Sequence, residues 1–377
     1  MAVGHAYAPS LSVTPRATLR KERRLPIAGQ VLAALGAAVR AEDVVAHAEL
    51  PGDVSTVNVV NQLGVSPAEL PRYMLKQQGA KVQKDEIIAA TKPFIKFFRS
   101  IARSPADGTI ETVSHVTGQV IIRSAPRPVD VRAYVDGTVV EVWQGEGVCV
   151  ETTGAFVQGI LGIGGEVAGE IAMVGDGPAA IIGPNDITAQ LRGKIVVAGA
   201  LVTREVFDKA TQVGVAALVC GGFHDADLRA LLGYDLGVAI TGHEDIHPTL
   251  IITEGFGTIA MARGTRELLA SHAGRRASAN GATQIRAGVL RPEIIIPLAA
   301  GAGQAARADA PASSGLTVGC AVRIIREPGF GRLGKVKSLP PEARRVESEA
   351  KVRVVELQFA EGETMIVPRT NVEVIGS

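Results

Sequence analysis

Chemistry-bearing side chains concentrate in one stretch, Thr241-Gly-His243-Glu244-Asp245-Ile-His247. Two histidines four positions apart, with carboxylates between them, are a metal-ligand spacing if the segment is helical. Pro248 follows at once and disfavours a regular helix there, so a polar loop or helix cap is the favoured reading. The cluster follows a run that reads as a parallel strand, as do Cys220-Gly221-Gly222 and Glu254-Gly255. Sheets of this type bind ligands beyond the carboxyl ends of their strands. Cys220, Gly221, Gly222, His243, Glu244, His247 and Glu254 are therefore the candidate small-ligand pocket, with Cys220, His243 and Glu254 expected on one rim. Arg286 and Arg291 suit an anion or an internal ion pair equally. The three cysteines, Cys149, Cys220 and Cys320, lie in apolar runs without ligand spacing, which reads as buried free thiols in a reducing cytoplasm. No catalytic residue, metal or cofactor is assigned.

A second set is cationic. Arg323, Arg326, Arg332, Lys335 and Lys337 surround Phe330 near the C-terminus. A basic stripe beside an aromatic ring suits RNA backbone contact with base stacking, and equally a solvated barrel face or a protein contact. A third set, Phe94, Lys96, Phe97 and Phe98, is an apolar-basic insert with the look of an interaction hairpin. The net charge of +1 excludes any global attraction to nucleic acid or acidic lipid.

These residues must be positioned by mostly β elements. Gly79-Ala-Lys-Val82-Gln-Lys-Asp85-Glu86-Ile87-Ile-Ala89 repeats Gly36-Ala-Ala-Val39-Arg-Ala-Glu42-Asp43-Val44-Val-Ala46. Each copy reads as a hairpin opened by a glycine, with Val39 and Val82 buried, and likewise Val44 and Ile87. Residues 1–18 read as a loose tail, and Arg20 to Arg24 followed by Leu25 to Val39 as a strand pair rather than a signal peptide. Ser66-Pro67-Ala-Glu69 is a capping box opening a short helix. From Gly183 strands alternate with helices at Thr203 to Gln212, Asp225 to Leu232 and Ala260 to His272, with strands at Lys194 to Val197, Val215 to Cys220, Gly237 to Thr241 and Leu250 to Thr253. This is a small parallel α/β domain over 183–298. Residues 299–315 are Ala-, Gly- and Ser-rich and read as a linker.

Gly-x-x-Val-x-x-Asp-x-Ile-Ile-Ala, followed by Ser104-Pro-Ala-Asp-Gly108-Thr-Ile110, resembles the barrel-sandwich hybrid domains of biotinyl and lipoyl carriers, RNA polymerase large subunits and Rnf-type C subunits. The resemblance implies that fold over part of 19–180. The insert holding Lys92 and Lys96 stands where the carriers place a modified lysine, but it is longer and flanked by aromatics. Gly319-Cys-Ala-Val-Arg-Ile-Ile-Arg-Glu-Pro-Gly-Phe-Gly331-Arg-Leu-Gly334-Lys-Val336 resembles a KOW motif, which implies an SH3-like barrel over 316–377. The expected fold class is multidomain β plus α/β: tandem hairpin barrel-sandwich hybrid region, small parallel α/β domain, C-terminal SH3-like β-barrel. The expected function is a non-enzymatic scaffold docking a protein, or RNA through the barrel, with no membrane involved. A ligand-binding or catalytic α/β domain with accessory hairpins is the alternative.

Overall fold

The computed structural model describes residues 11–91, 100–233, 246–283, 290–298, 306–307, 316–324, 329, 332–340, 343–345, 351–359 and 362–374. The chain is mostly β, with 47% strand and 16% helix, and its main sheet curls into a half-barrel.

Among the described residues that sheet has thirteen strands. Its parallel part runs Thr249–Phe256, Ala217–Phe223, Ile195–Val197, Glu166–Met173, with Leu161–Ile163 antiparallel on the outer edge. The two central strands, Ile195–Val197 and Ala217–Phe223, are unbroken apolar runs, as burial on both faces requires. Val196, Leu218 and Leu250 meet Val206 and Phe207 of helix Arg204–Val213 and Leu228 of helix Asp225–Leu232 on one face. Val197, Val219 and Ile251 meet Met261 and Leu269 of the segment carrying helix Arg263–Ser271 on the other. The first helix starts where Thr203 accepts the Val206 N–H at 3.4 Å and stops at Gly214, whose φ of 81° ends α-helical propagation.

The sheet does not stop at the expected domain boundary. Glu166–Met173 pairs antiparallel with Arg276–Asn280, which leads through Glu293–Pro297 and Gly147–Gln158 to Val13–Arg24. Residues 183–298 and the strands before 180 therefore share one sheet, and the boundary at 180–183 is corrected. The loose tail is corrected for its last residues: residues 1–10 lie outside the described residues, but Val13 to Thr18 open the strand Val13–Arg24. Its partner lies far along the chain, so local composition carried no sign of it. The basic run Arg20 to Arg24 is the second half of that strand. Within the expected linker, Ala306–Arg307 pairs in parallel with Ala17 and Thr18, and the rest lies outside the described residues, as does the expected strand Gly237 to Thr241.

The repeat is structural, and it is nested. Arg40 N–H donates to Asp43 Oδ2 at 2.8 Å, and Gln83 N–H to Glu86 Oε2 at 2.9 Å. Leu32 N–H donates to the Val45 carbonyl at 2.9 Å, and Leu75 N–H to that of Ile88 at 2.9 Å. Each copy closes on a separate Asp-Gly-Thr: Asp136 Oδ1 accepts from Ala41 N–H at 2.8 Å, and Asp107 Oδ1 from Lys84 N–H at 2.7 Å. In the outer copy Val44–Leu50 pairs with Arg127–Arg132, and everything between Leu50 and Arg127 is the inner copy with its own core of Val82, Ile88, Ile110, Val120 and Ile122. The expected burial needs a shift. Val82 is buried but Val39 only partly; Val44 and Ile87 are partly covered, and the buried residues are the next ones, Val45 and Ile88. The turn delivers the second residue of each pair to the core.

Strands Ala321–Ile324, Leu333–Ser338, Lys351–Gln358, Thr364–Pro368 and Val372–Val374 form an antiparallel C-terminal sheet, with Ala343–Arg345 added to Lys351–Gln358. It has its own core of Val322, Ile324, Val336, Val355 and Leu357. A single helical turn, Arg369–Asn371, links its last two strands. No helix among the described residues is long and apolar enough to cross a membrane.

Candidate functional site

The crevice expected at the carboxyl rim is filled by the chain itself. A Cβ on Gly221 would run into the Ile259 carbonyl, and one on Gly222 into that of Gly257. These glycines admit backbone, not ligand. Cys220 is not at the rim: its strand continues to Phe223, and the thiol is fully buried, with its pKa pushed up to about 12 by desolvation. Such a thiol is no nucleophile. His247 precedes strand Thr249–Phe256, whereas Glu254 is near its end, so the two belong to opposite rims. His243 and Glu244 lie outside the described residues, as does Arg286. The pocket drawn from the sequence is thus not assembled by the residues the structure describes.

Glu254 has a different task. Its Oε1 accepts the Ala262 N–H at 3.0 Å, at the start of helix Arg263–Ser271, and its Oε2 accepts from Arg323 Nη2 at 2.7 Å. Their side chains are 7% and 1% exposed, so this is a dry ion pair tying the C-terminal sheet to the main one. Arg323 is therefore a bridge, and its expected role as a nucleic-acid contact is corrected: it is buried against Glu254 of the main sheet, while its neighbours Val322 and Ile324 fill the core of the C-terminal sheet.

The other cations of that sheet are largely neutralised in place. Arg332 donates to Glu363 at 3.4 and 2.6 Å and stacks at 3.8 Å from the Phe359 ring centroid, which holds the Glu363 pKa below the usual carboxylate range. Lys337 Nζ donates to Glu356 at 2.7 Å. Lys335 is exposed on the same strand. Arg326 and Phe330 lie outside the described residues, as do Phe94, Lys96, Phe97 and Phe98. The hairpin Ile87–Ala90 with Ile101–Arg103, which flanks that last group in sequence, is tied at its end, where Thr91 N–H donates to the Ser100 carbonyl at 3.0 Å and Ser100 N–H to Thr91 Oγ1 at 2.9 Å.

A groove of about 630 Å³ that the sequence did not signal lies between Glu22–Arg24, Glu42, Arg132, Tyr134 and Glu166. Arg23 closes its floor, with Nη1 and Nη2 bonded to Glu166 at 2.7 and 2.6 Å and Nε to the Arg132 carbonyl at 2.7 Å. Tyr134 has φ of 70°, a conformation bulky residues rarely adopt, and donates its hydroxyl to Glu293 at 3.1 Å. Lys21 Nζ holds the same carboxylate at 2.6 and 2.7 Å. Burial, then the charge of Glu293, raises the Tyr134 pKa. The one trace in the sequence was the basic run Arg20 to Arg24. Among the described residues no group of three His, Cys, Asp or Glu is arranged to hold a metal ion.

Compared with protein-family models and with curated proteins, the chain matches none of them.

Proposed function

We propose that this chain is a non-enzymatic docking protein, built from two barrel-sandwich hybrid-like modules, one inserted in the other, and a C-terminal SH3-like barrel. The observation that carries this reading is the placement of the inner module. It has a separate core and is joined to the rest through the strand pair Val44–Leu50 and Arg127–Arg132, at whose end Leu50 and Arg127 lie directly opposite each other. The module held on this two-stranded stalk is the one whose sequence carries the insert 92–99 with its three phenylalanines, an apolar composition that suits a protein contact. A protein partner is favoured over RNA, because Arg323 is buried in an ion pair and Arg332 and Lys337 are held by glutamates. The alternative, a ligand-binding α/β sheet with its site at Gly221-Gly222, loses support from the backbone that fills that crevice. Free buried thiols at Cys149 and Cys220 suit a reducing cytoplasm.

The test compares the full chain with a variant in which residues 51–126 are replaced by a two-residue turn. Crosslinking and affinity capture from the native cell should recover a partner protein with the full chain and lose it with the variant. A capture unaffected by the replacement, or binding of single-stranded RNA that falls steeply with salt, overturns the reading.

A further inference from the structure

The carboxyl ends of Glu166–Met173 and Ile195–Val197 carry a feature that the docking reading does not use. A cavity of about 340 Å³ opens there, between the turn after Met173 and helix Arg263–Ser271. Met173, Pro178 and Ala270 form its apolar wall, and Arg263, Arg266 and Glu267 its polar one. Gly175 and Gly177, with φ of 78° and 87°, let the turn bend in a way that other residues rarely adopt. The size falls at the small end of ligand cavities, which begin at about 300 Å³.

Arg266 is 7% exposed. Its Nη1 donates to the carbonyls of Val197 and Ala198 at 3.0 and 2.8 Å, and its Nη2 to those of Gly175 and Val174 at 2.6 and 3.5 Å. These carbonyls satisfy donors but bring no countercharge. Among the described residues no carboxylate forms an ion pair with this guanidinium. Burial lowers its pKa, and Asp176, exposed on the adjoining turn, opposes this only in part. A buried charge held by dipoles alone is costly, and an anion nearby relieves that cost. Arg263 is three residues earlier, hence on the same helical face, and is exposed without an ion pair among the described residues. Glu267, also exposed, is the carboxylate at the opening.

We propose that this cavity binds a small organic monocarboxylate, its carboxylate on Arg263 in front of the buried Arg266 and its apolar chain against Met173, Pro178 and Ala270. A dianionic phosphate fits less well, because Glu267 would face it and the rest of the lining offers carbon. The position agrees with the general preference of parallel sheets for ligands beyond their carboxyl ends, one strand pair over from the crevice that Gly257 and Ile259 fill.

Isothermal titration and thermal unfolding of the full chain with sodium hexanoate test this, with hexanol and hexylamine as the uncharged and oppositely charged probes. Hexanoate should give saturable heat with a low-millimolar Kd and raise Tm, and the other two should do neither. Truncating Arg266 strips four carbonyls and endangers folding, so the variants are Arg263→Gln and Ala270→Phe, both at exposed helix positions. Each should weaken hexanoate binding by about tenfold or more while its own Tm stays within a few degrees. Absence of saturable heat with the wild-type chain, an equal response to hexanol, or unchanged affinity in both variants overturns the proposal.

Discussion

Glu254 and Arg323 illustrate how little a residue's type says about its work. Both are ionisable and both follow or lie on strands, yet each is spent on the other at 2.7 Å with almost no exposure. Breaking a buried pair by removing one partner leaves the other charge dry, which costs about 3–5 kcal/mol. Arg323→Ala is therefore expected to lower the unfolding free energy obtained from urea titration by that amount, and the double variant Glu254→Gln, Arg323→Met to recover much of it. A loss below about 1 kcal/mol for the single change would mean that water reaches the pair. The thiols lead to a second expectation. Burial raises the Cys149 pKa and pushes Cys220 to about 12, whereas Cys320 is only partly covered. In the native chain an aromatic disulfide reagent should modify Cys320 first and leave Cys220 untouched until denaturant is added. Modification of Cys220 in the native state would contradict its place in the core.

At the scale of elements, the stalk that carries the inner module is the most informative part. His47 and Asp130 are directly opposite across it, with Nδ1 2.7 Å from Oδ1, and Glu49 adds a second carboxylate at 3.4 Å. The hydrogen bond to Asp130, more than any other cause, raises the His47 pKa. A folded value above the unfolded one, about 6.5, means that the stabilisation is fully present below that pH and is lost as pH rises through the folded value. The stability gap between wild type and Asp130→Asn, measured by urea unfolding, should therefore be larger near pH 5.5 than near pH 9, as rough settings on either side of that range. A gap independent of pH would show that the pair does not form in solution. The Asp-Gly-Thr turns make a paired test. A side chain on Gly108 would meet the Arg123 carbonyl, and one on Gly137 the Glu151 carbonyl. Gly108→Ala and Gly137→Ala should each destabilise by about 1–3 kcal/mol, the usual cost of forcing atoms into a filled space. A clear loss at one position with tolerance of alanine at the other would argue against the equivalence of the two copies.

For the whole molecule the nesting is the main consequence. Because Leu50 and Arg127 are directly opposite, a two-residue Asn-Gly turn can replace residues 51–126 and close the stalk as a simple hairpin. The shortened chain should unfold cooperatively with its Tm within several degrees of the full one, as the cores on either side of the stalk are separate. Failure of the shortened chain to fold would show that the inner module is needed to build the outer one. The C-terminal sheet is attached differently, through a buried ion pair rather than a covalent stalk alone, so its docking should respond to Arg323→Ala while the stalk does not.

What the sequence by itself determined is local. Glycine positions named the hairpins, the Ser66/Glu69 capping box named a helix start, Thr203 named another, and unbroken apolar runs named the buried parallel strands. Each of these rests on a residue and its near neighbours, where steric preference and hydrogen-bonding capacity suffice. Only the tertiary structure decided that Val13–Arg24 is a strand, that the sheet crosses the expected boundary at 180–183, and that one repeat encloses the other. Strand partners are chosen by long-range register and shared burial, which leave little trace in any window of residues. The candidate sites divide the same way. The sequence marked Cys220, Glu254 and Arg323 as polar or reactive side chains, but whether each meets solvent, a ligand or an opposite charge depends on what packs against it.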